Sequence, residues 1–317
     1  MKHRVLGSTG LNVSEIGFGC WAIGGDRFGN SYGATDDDVS IMALKRAVEL
    51  GVTFFDTADV YGHGHSEELL GKALKEQRRN VIIATKVGGD FYHRINRNFD
   101  PGYVRFALDQ SLKRLGIDCI DLYQLHNPSL GQINEDTVAV FRDLQKEGLI
   151  KHWGISVLNA DEGVHAIKTV KPEVIQVVYN VCYQEAAQEL FALAKEANIG
   201  IIAREPLANG FLTGKYDEAT EFRSGDIRKD VLDRQQVIAY TRTARRVREL
   251  LAERKESLTQ LALKFVLHQE AVSVTIPGAK SPSQIAENTS ASEIPSLQPS
   301  ELARLRALQA LAVKSGG

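Results

Sequence analysis

The 317-residue chain is 43% hydrophobic and 25% charged, with 38 Lys and Arg against 40 Asp and Glu. A net charge of −2 leaves no global field to draw it to nucleic acid or an anionic membrane. Three cysteines (Cys20, Cys119, Cys182) without metal-ligand spacing argue for a reducing compartment rather than a disulfide framework. No stretch approaches the ~20 apolar residues of a spanning helix. The opening residues lack the apolar core of a signal peptide. A soluble, cytoplasmic protein is expected.

Taken in chain order, residues 4–6 and 12–15 flank Gly7-Ser8-Thr9-Gly10 and predict a β-hairpin, placed as a plug across one end of the fold. Strands follow near residues 16–18, 52–55, 81–85, 120–125, 155–157, 174–178, 199–203 and 272–276. Most are apolar throughout, which suits a sheet buried on both faces. Helices alternate with them. Thr35 and Asp38 form a start signal, and Gly51 a stop. Asp100-Pro101 places an N-cap before a first-turn proline, with Gly116 at the other end. Asn134 opens the next helix and Gly148 closes it. Further helices are predicted over 186–197, 233–256, 258–269, 281–291 and 299–313. Eight β/α units without an intervening linker predict an α/β fold, a single (β/α)₈ barrel spanning residues 1–317 with an N-terminal hairpin.

Gly17-Phe18-Gly19-Cys20-Trp21-Ala22 matches the glycine-rich dinucleotide fingerprint by letter. That motif works only where a helix starts at once and aims its N-terminus at a pyrophosphate. Here Gly24, Gly25, Gly29 and Gly33 follow and predict a continuing loop, so a Rossmann site is rejected. His63-Gly64-His65 invites a metal-dependent barrel hydrolase, with Asp56 and His126 as further ligands. Lys86, at the strand end between them, would oppose a divalent cation. A loop before a helix capped at Ser66 is the preferred reading of both histidines, and no metal is expected.

Asp56, Lys86 and His126 each terminate a successive apolar strand, and Tyr61 follows Asp56 in the next loop. In a barrel these ends converge on one mouth, where chemistry is expected. Lys86 beside Tyr61 is expected to favour tyrosinate, and Asp56 to keep Lys86 charged and oriented. A neutral His126 would orient a carbonyl. No activated Ser or Cys nucleophile accompanies the group. Such a set suits protonating an oxygen while hydride reaches the carbon, and no side chain supplies hydride.

At this point the chain resembles the aldo-keto reductases over essentially its whole length. The matching stretches are Phe54-Phe55-Asp56-Thr57-Ala58-Asp59-Val60-Tyr61-Gly62, Ala84-Thr85-Lys86, Asp121-Leu122-Tyr123-Gln124-Leu125-His126-Asn127-Pro128, Gly154-Ile155-Ser156 and Gly210-Phe211-Leu212-Thr213-Gly214-Lys215-Tyr216. The likeness is to bacterial branches acting on sugars and small carbonyls. It implies NADP(H) bound across the barrel mouth, with Tyr61 as general acid/base, Lys86 and Asp56 tuning it and His126 orienting the carbonyl. It places Ser156 and Gln176 at the nicotinamide carboxamide, although Val157 stands where the family usually has Asn. Arg204 falls where many members stack an aromatic ring on the nicotinamide.

The same resemblance places Leu207, Gly210, Leu212, Gly278, Lys280, Ser281, Gln284 and Asn288 along the cofactor. Lys280 and Ser281, at a helix start, would meet a 2′-phosphate, so NADP(H) is preferred and NAD(H) accepted; a surface lysine is the plainer reading of Lys280. The link 210–233 reads as a charged, mobile lid, with Arg228 on the pyrophosphate. Trp21, Phe28, Asn30, Tyr92 and Tyr123 are expected around a small carbonyl or sugar. The alternative within the resemblance is a regulatory or sensor subunit of the potassium-channel β-subunit type. Oligomeric state is left open.

Overall fold

The computed structural model describes residues 1–28 and 31–308. The hairpin comes first, with β1 (His3–Val5) antiparallel to β2 (Asn12–Ser14). Then β3 (Phe18–Gly19) leads to α1 (Asp37–Glu49), β4 (Phe54–Asp56) to α2 (His65–Leu74), and β5 (Ile82–Val87) to α3 (Pro101–Leu115). Next, β6 (Ile120–His126) leads to α4 (Glu135–Lys146), β7 (Ile150–Ser156) to α5 (Ala160–Thr169), and β8 (Val174–Val178) to α6 (Leu190–Glu196). After β9 (Gly200–Arg204) come α7 (Arg228–Val231), α8 (Arg234–Leu250) and α9 (Leu258–Leu267); after β10 (Val272–Thr275) come α10 (Pro282–Ser290) and α11 (Pro299–Arg306). Strands β3 to β10 pair in parallel with their neighbours in chain order.

Main-chain bonds join the two ends of the sheet. The amides of Gly17 and Gly19 donate to the carbonyls of Thr275 (2.8 Å) and Pro277 (3.1 Å), and that of Thr275 donates to Glu15 (3.0 Å). Two parallel bridges, Ile16 to Thr275 and Gly19 to Gly278, complete the seam. This is a (β/α)₈ barrel. The glycines of the fingerprint-like stretch serve that closure, since a Cβ on Gly19 would lie 2.5 Å from the carbonyl oxygen of Ile276. A short 3-10 turn, Cys20–Gly24, follows, and among the described residues loop then continues to α1, with no α-helix starting at the glycines.

Strand alternation puts side chains of every second residue inside the barrel. One interior layer is apolar: Phe54, Ala84, Leu122, Val174, Ile202 and Val274. The residues two further along are Asp56, Lys86, Gln124, Gln176, Arg204 and Ile276, so the next layer toward the mouth is mostly polar. Leu6 and Val13 of the hairpin segment pack under the apolar layer. Gly7, at φ +53°, lies so near β9 that a Cβ would be 2.1 Å from the amide of Gly200, and the amide of Ser8 donates to Asn198 (2.8 Å). The hairpin therefore covers the end opposite the polar layer. The larger core lies between the outer strand faces and the helices, with Phe55, Ile83, Tyr123, Phe141 and Trp153 among its members.

Several expected boundaries move. Asp36, not Thr35, caps α1, its side chain accepting from the amide of Val39. β7 starts at Ile150, because Lys151 and His152 hide its outer end behind polar residues that pair with Asp121 and Glu173. α6 and α8 are shorter than read, and α11 ends at Arg306; residues 309–313 of that expected helix lie outside the described residues. The link 210–233 is not bare loop: it holds a 3-10 turn, Phe211–Thr213, and α7. Among the described residues no helix is long and apolar enough to cross a membrane.

Candidate active site

The polar layer brings Asp56, Tyr61, Lys86 and His126 together. Lys86 is fully buried, and its Nζ donates to Asp56 Oδ1 (2.5 Å), the carbonyl of Thr57 (2.8 Å) and the Tyr61 hydroxyl (3.2 Å). Its three donors are thus all used, one of them on the phenol. The other carboxylate oxygen of Asp56 accepts from Gln176 (2.8 Å) and Gln124 (3.3 Å). The His126 ring meets Tyr61 edge-on, centroids 5.8 Å apart.

Burial pulls the Lys86 ammonium down, but Asp56, Tyr61 and their hydrogen bonds carry it above its ordinary value. Burial pushes the Tyr61 phenol up, and Lys86 pulls it back without overcoming burial. This corrects the expectation of tyrosinate: in this structure the phenol keeps its proton. Burial, then Lys86 and Arg204, drives His126 well below its ordinary value, so its imidazole is neutral. A protonated phenol and a neutral imidazole therefore face one space, with the cationic lysine buried behind the phenol. The arrangement can deliver a proton to an oxygen lodged between the phenol and the ring.

The space is a cavity of about 990 Å³, bordered by Asp56, Tyr61 and His126 and reaching Glu287 and Asn288 on α10. Ser156, Leu207, Gly210, Gly278 and Trp21 line it. Gln176 also lines it, but its amide nitrogen is committed to Asp56, leaving the carbonyl oxygen for a ligand. Arg204 borders the cavity with its guanidinium paired to Glu205 and bonded to the carbonyl of Val157 (3.1 Å), so its charge is offset. Gln284 accepts from the amide of Lys280 (2.7 Å), and Asn288 donates to the carbonyl of Gly278 (3.2 Å).

Other expectations are corrected. Leu212 is fully buried in the hydrophobic core, not on the cavity wall. Ser281 caps α10 and does not line the cavity. Arg228 lines the cavity but spends its guanidinium on the Asp226 carboxylate (2.9 and 2.6 Å), Tyr216 (2.8 Å) and the carbonyl of Asn209 (3.0 Å). One N–H remains for a pyrophosphate. Tyr123 points into the outer core against Phe141. Phe28 and Tyr92 are half exposed and stand outside the cavity, joined in a run of stacked rings through His63 and Phe91. Asn30 lies outside the described residues.

His65 is the first residue of α2 and bonds Asp37 (2.9 Å). Gly64, not Ser66, precedes that helix, and the Ser66 hydroxyl donates to the buried carbonyl of Cys20 (2.9 Å). Among the described residues no three His, Cys, Asp or Glu side chains are arranged to hold a metal ion.

Three cavity or support residues escaped the sequence reading. Gln124 braces Asp56, and its signal was a polar residue two positions before His126, in step with it along the strand. Asn127 lines the cavity with a buried side-chain oxygen that has no hydrogen-bond partner among the described residues. Tyr32 lines it too, packed on Trp21 with centroids 4.8 Å apart; nothing in its local sequence marked it.

A barrel whose mouth gathers buried Asp56 and Lys86 with half-buried Tyr61 and His126 at one cavity suits carbonyl chemistry better than hydrolysis. Residues 15–310 match the model of the aldo/keto reductase family. An NADP(+) aldo-keto reductase of Schizosaccharomyces pombe, yakc, is 31% identical over 89% of this chain and 84% of its own. Among solved structures, the holo form of an aldo-keto reductase from Bacillus halodurans is 30% identical (TM-score 0.82; 99% and 98% of the two chains). A glycerol dehydrogenase from Gluconobacter oxydans is 27% identical (TM-score 0.82; 98% and 96%). The chain belongs to the aldo/keto reductase family. It is an oxidoreductase of that family, whose members use NADP(H) and act on carbonyl groups.

Proposed function

We propose that the chain interconverts a small aldehyde, ketone or sugar with its alcohol, and that Tyr61 exchanges the proton. The observation carrying this reading is the Asp56–Lys86–Tyr61 chain of hydrogen bonds beside a neutral His126, opening on one cavity. That cavity, at about 990 Å³, is at the upper end of the range for ligand pockets and runs from Tyr61 and His126 to Glu287 and Asn288. Its polar groups suit a dinucleotide: the Ser156 hydroxyl and the accepting oxygen of Gln176 near Tyr61, and Gln284 and Asn288 at the far end. When bound, the reduced nicotinamide supplies the hydride.

The protein's own part is the oxygen. A substrate carbonyl between the Tyr61 hydroxyl and the His126 ring accepts a hydrogen bond from each. As its carbon gains hydride, Tyr61 gives up its proton to the oxygen. Lys86, held charged by Asp56, stabilises the phenolate left behind. In the alcohol-oxidising direction the same groups run backwards. Trp21 and Asn127 give the substrate end an aromatic and a polar wall, which suits a polyol or small carbonyl, and the glycerol dehydrogenase relative is consistent with that choice.

The test is Tyr61→Phe, assayed against a panel of small carbonyls and polyols. Wild-type turnover of roughly 1 s⁻¹ or more supports an enzyme over a sensor subunit. The variant is expected to lose about 10²–10⁴ in kcat while NADPH binding, followed by fluorescence, stays within about twofold. Unchanged turnover in Tyr61→Phe would sink the proton-transfer role.

A further inference from the structure

Resemblance places Lys280 against a 2′-phosphate, yet its side chain is already engaged. Nζ donates to the carbonyls of Tyr32 (2.7 Å), Gly33 (3.2 Å) and Ala34 (3.3 Å). An ammonium has three donors, so an incoming phosphate must displace bonds rather than fill a vacancy. The start of α10 is similarly spent. Ser281 accepts from the amide of Gln284 (3.3 Å), Pro282 has no N–H, and the amide of Lys280 goes to Gln284 Oε1 (2.7 Å).

The segment that Lys280 grips is tied down from the other side of the mouth as well. The amide of Ile227 donates to Ser31 (2.9 Å), Tyr32 bridges to Asp226, and the Tyr32 hydroxyl donates to Asn209 (2.8 Å). Arg228 sits 4.8 Å from the Tyr32 ring centroid. Inward, Tyr32 packs on Trp21, and Trp21 stacks on Tyr61 with centroids 6.1 Å apart.

We infer that Lys280 is a positioning residue: it latches residues 32–34 across the mouth and so shapes the site for either dinucleotide, instead of distinguishing NADPH from NADH. This rests on the dinucleotide reading above, but its structural half can be tested without any dinucleotide. Tyr32 and Trp21 link the latch to Tyr61, so loosening it disturbs the substrate wall and the cofactor cleft together.

The experiment has two arms on the full-length protein. In the first, fluorescence titrations with NADPH and NADH compare wild type with Lys280→Met. Both dissociation constants are expected to rise by the same factor, about 3- to 10-fold, because ordering of the loop is lost for both ligands. A rise for NADPH alone, with NADH unchanged, overturns the inference and makes Lys280 the phosphate reader. In the second arm, hydrogen exchange of the Ile227 amide is measured without dinucleotide, since that N–H is bonded to the latched loop. Lys280→Met is expected to speed it about tenfold or more, and Lys280→Arg to restore most of the protection. Unchanged exchange in Lys280→Met refutes the latch. Tyr32→Phe, which removes the Asn209 bond, should raise both dissociation constants equally as well, and serves if Lys280→Met folds poorly. If wild type binds neither dinucleotide, the cofactor reading falls while the exchange arm still decides the latch.

Discussion

At the scale of single residues, Tyr61 is pulled two ways: burial holds its proton on, and Lys86 draws it off. Burial wins, so the acid needed for reduction is present through neutrality. The kcat/KM for carbonyl reduction should stay level there and fall only in the alkaline range, as the phenol loses its proton. Alcohol oxidation, which needs the phenolate, should rise with pH over that same alkaline range. Replacing Lys86 by Met removes the lowering influence and should move both limbs to still higher pH, besides slowing turnover by about 10²–10⁴. A reduction profile that declines near neutral pH would contradict this assignment. Asp59 is a second case. It is buried with no side-chain hydrogen-bond partner among the described residues, and burial followed by the Glu67 charge pushes its carboxyl well above the ordinary range. A raised folded-state value means its contribution to stability is complete below the unfolded pKa and is lost as pH rises through the folded one. Asp59→Asn should therefore stabilise the protein at neutral pH, by about 1–3 kcal/mol, and leave it little changed in acid. Denaturant melts at two pH values check this.

At the scale of elements, the turn carrying Tyr61 depends on contact with the loop after β3. Gly62 has φ +60°, and a Cβ there would lie 2.2 Å from the carbonyl oxygen of Gly24. Gly62→Ala combines an unfavourable backbone conformation with a backbone clash, and should cost about 2 kcal/mol or more. It should also lower kcat by displacing the adjacent Tyr61. Thermal melting and steady-state rates measure both, and an unaltered melt with normal turnover would refute the account. Helices were the most legible elements, because their caps are local chemistry: Asp100 and Asn134 accept from the amides that their positions predicted. Strand ends were less so. Lys151 and His152 read as loop because the outer end of β7 takes its polar partners from other segments. Ser66 read as a cap, yet its hydroxyl is bound to Cys20, far away in sequence.

At the scale of the whole molecule, the barrel was legible because eight apolar runs alternate with capped helices and no linker interrupts them. The Asp56, Lys86 and His126 cluster was legible for a related reason: each of these polar side chains ends such a run. What could not be read was register. Strands apolar on both faces do not reveal which residues point inward, so Gln124, facing Asp56, passed as one more strand residue while Tyr123, facing the helices, was assigned to substrate. Contacts between loops after different strands were equally hidden, and Lys280 with Tyr32 is the example.

The seam that closes the barrel joins its first strand to its last, through Gly17 and Gly19 on one side and Thr275 and Pro277 on the other. During synthesis, then, the strands bearing Asp56, Lys86 and His126, and the turn bearing Tyr61, leave the ribosome long before the segment that completes the ring beside them. Until that segment arrives, β3 has an open edge and the cleft has only one wall. A chain halted before Thr275 would expose that edge to other unfinished chains, so the arrival of residues 275–278 governs whether nascent copies fold alone or stick together.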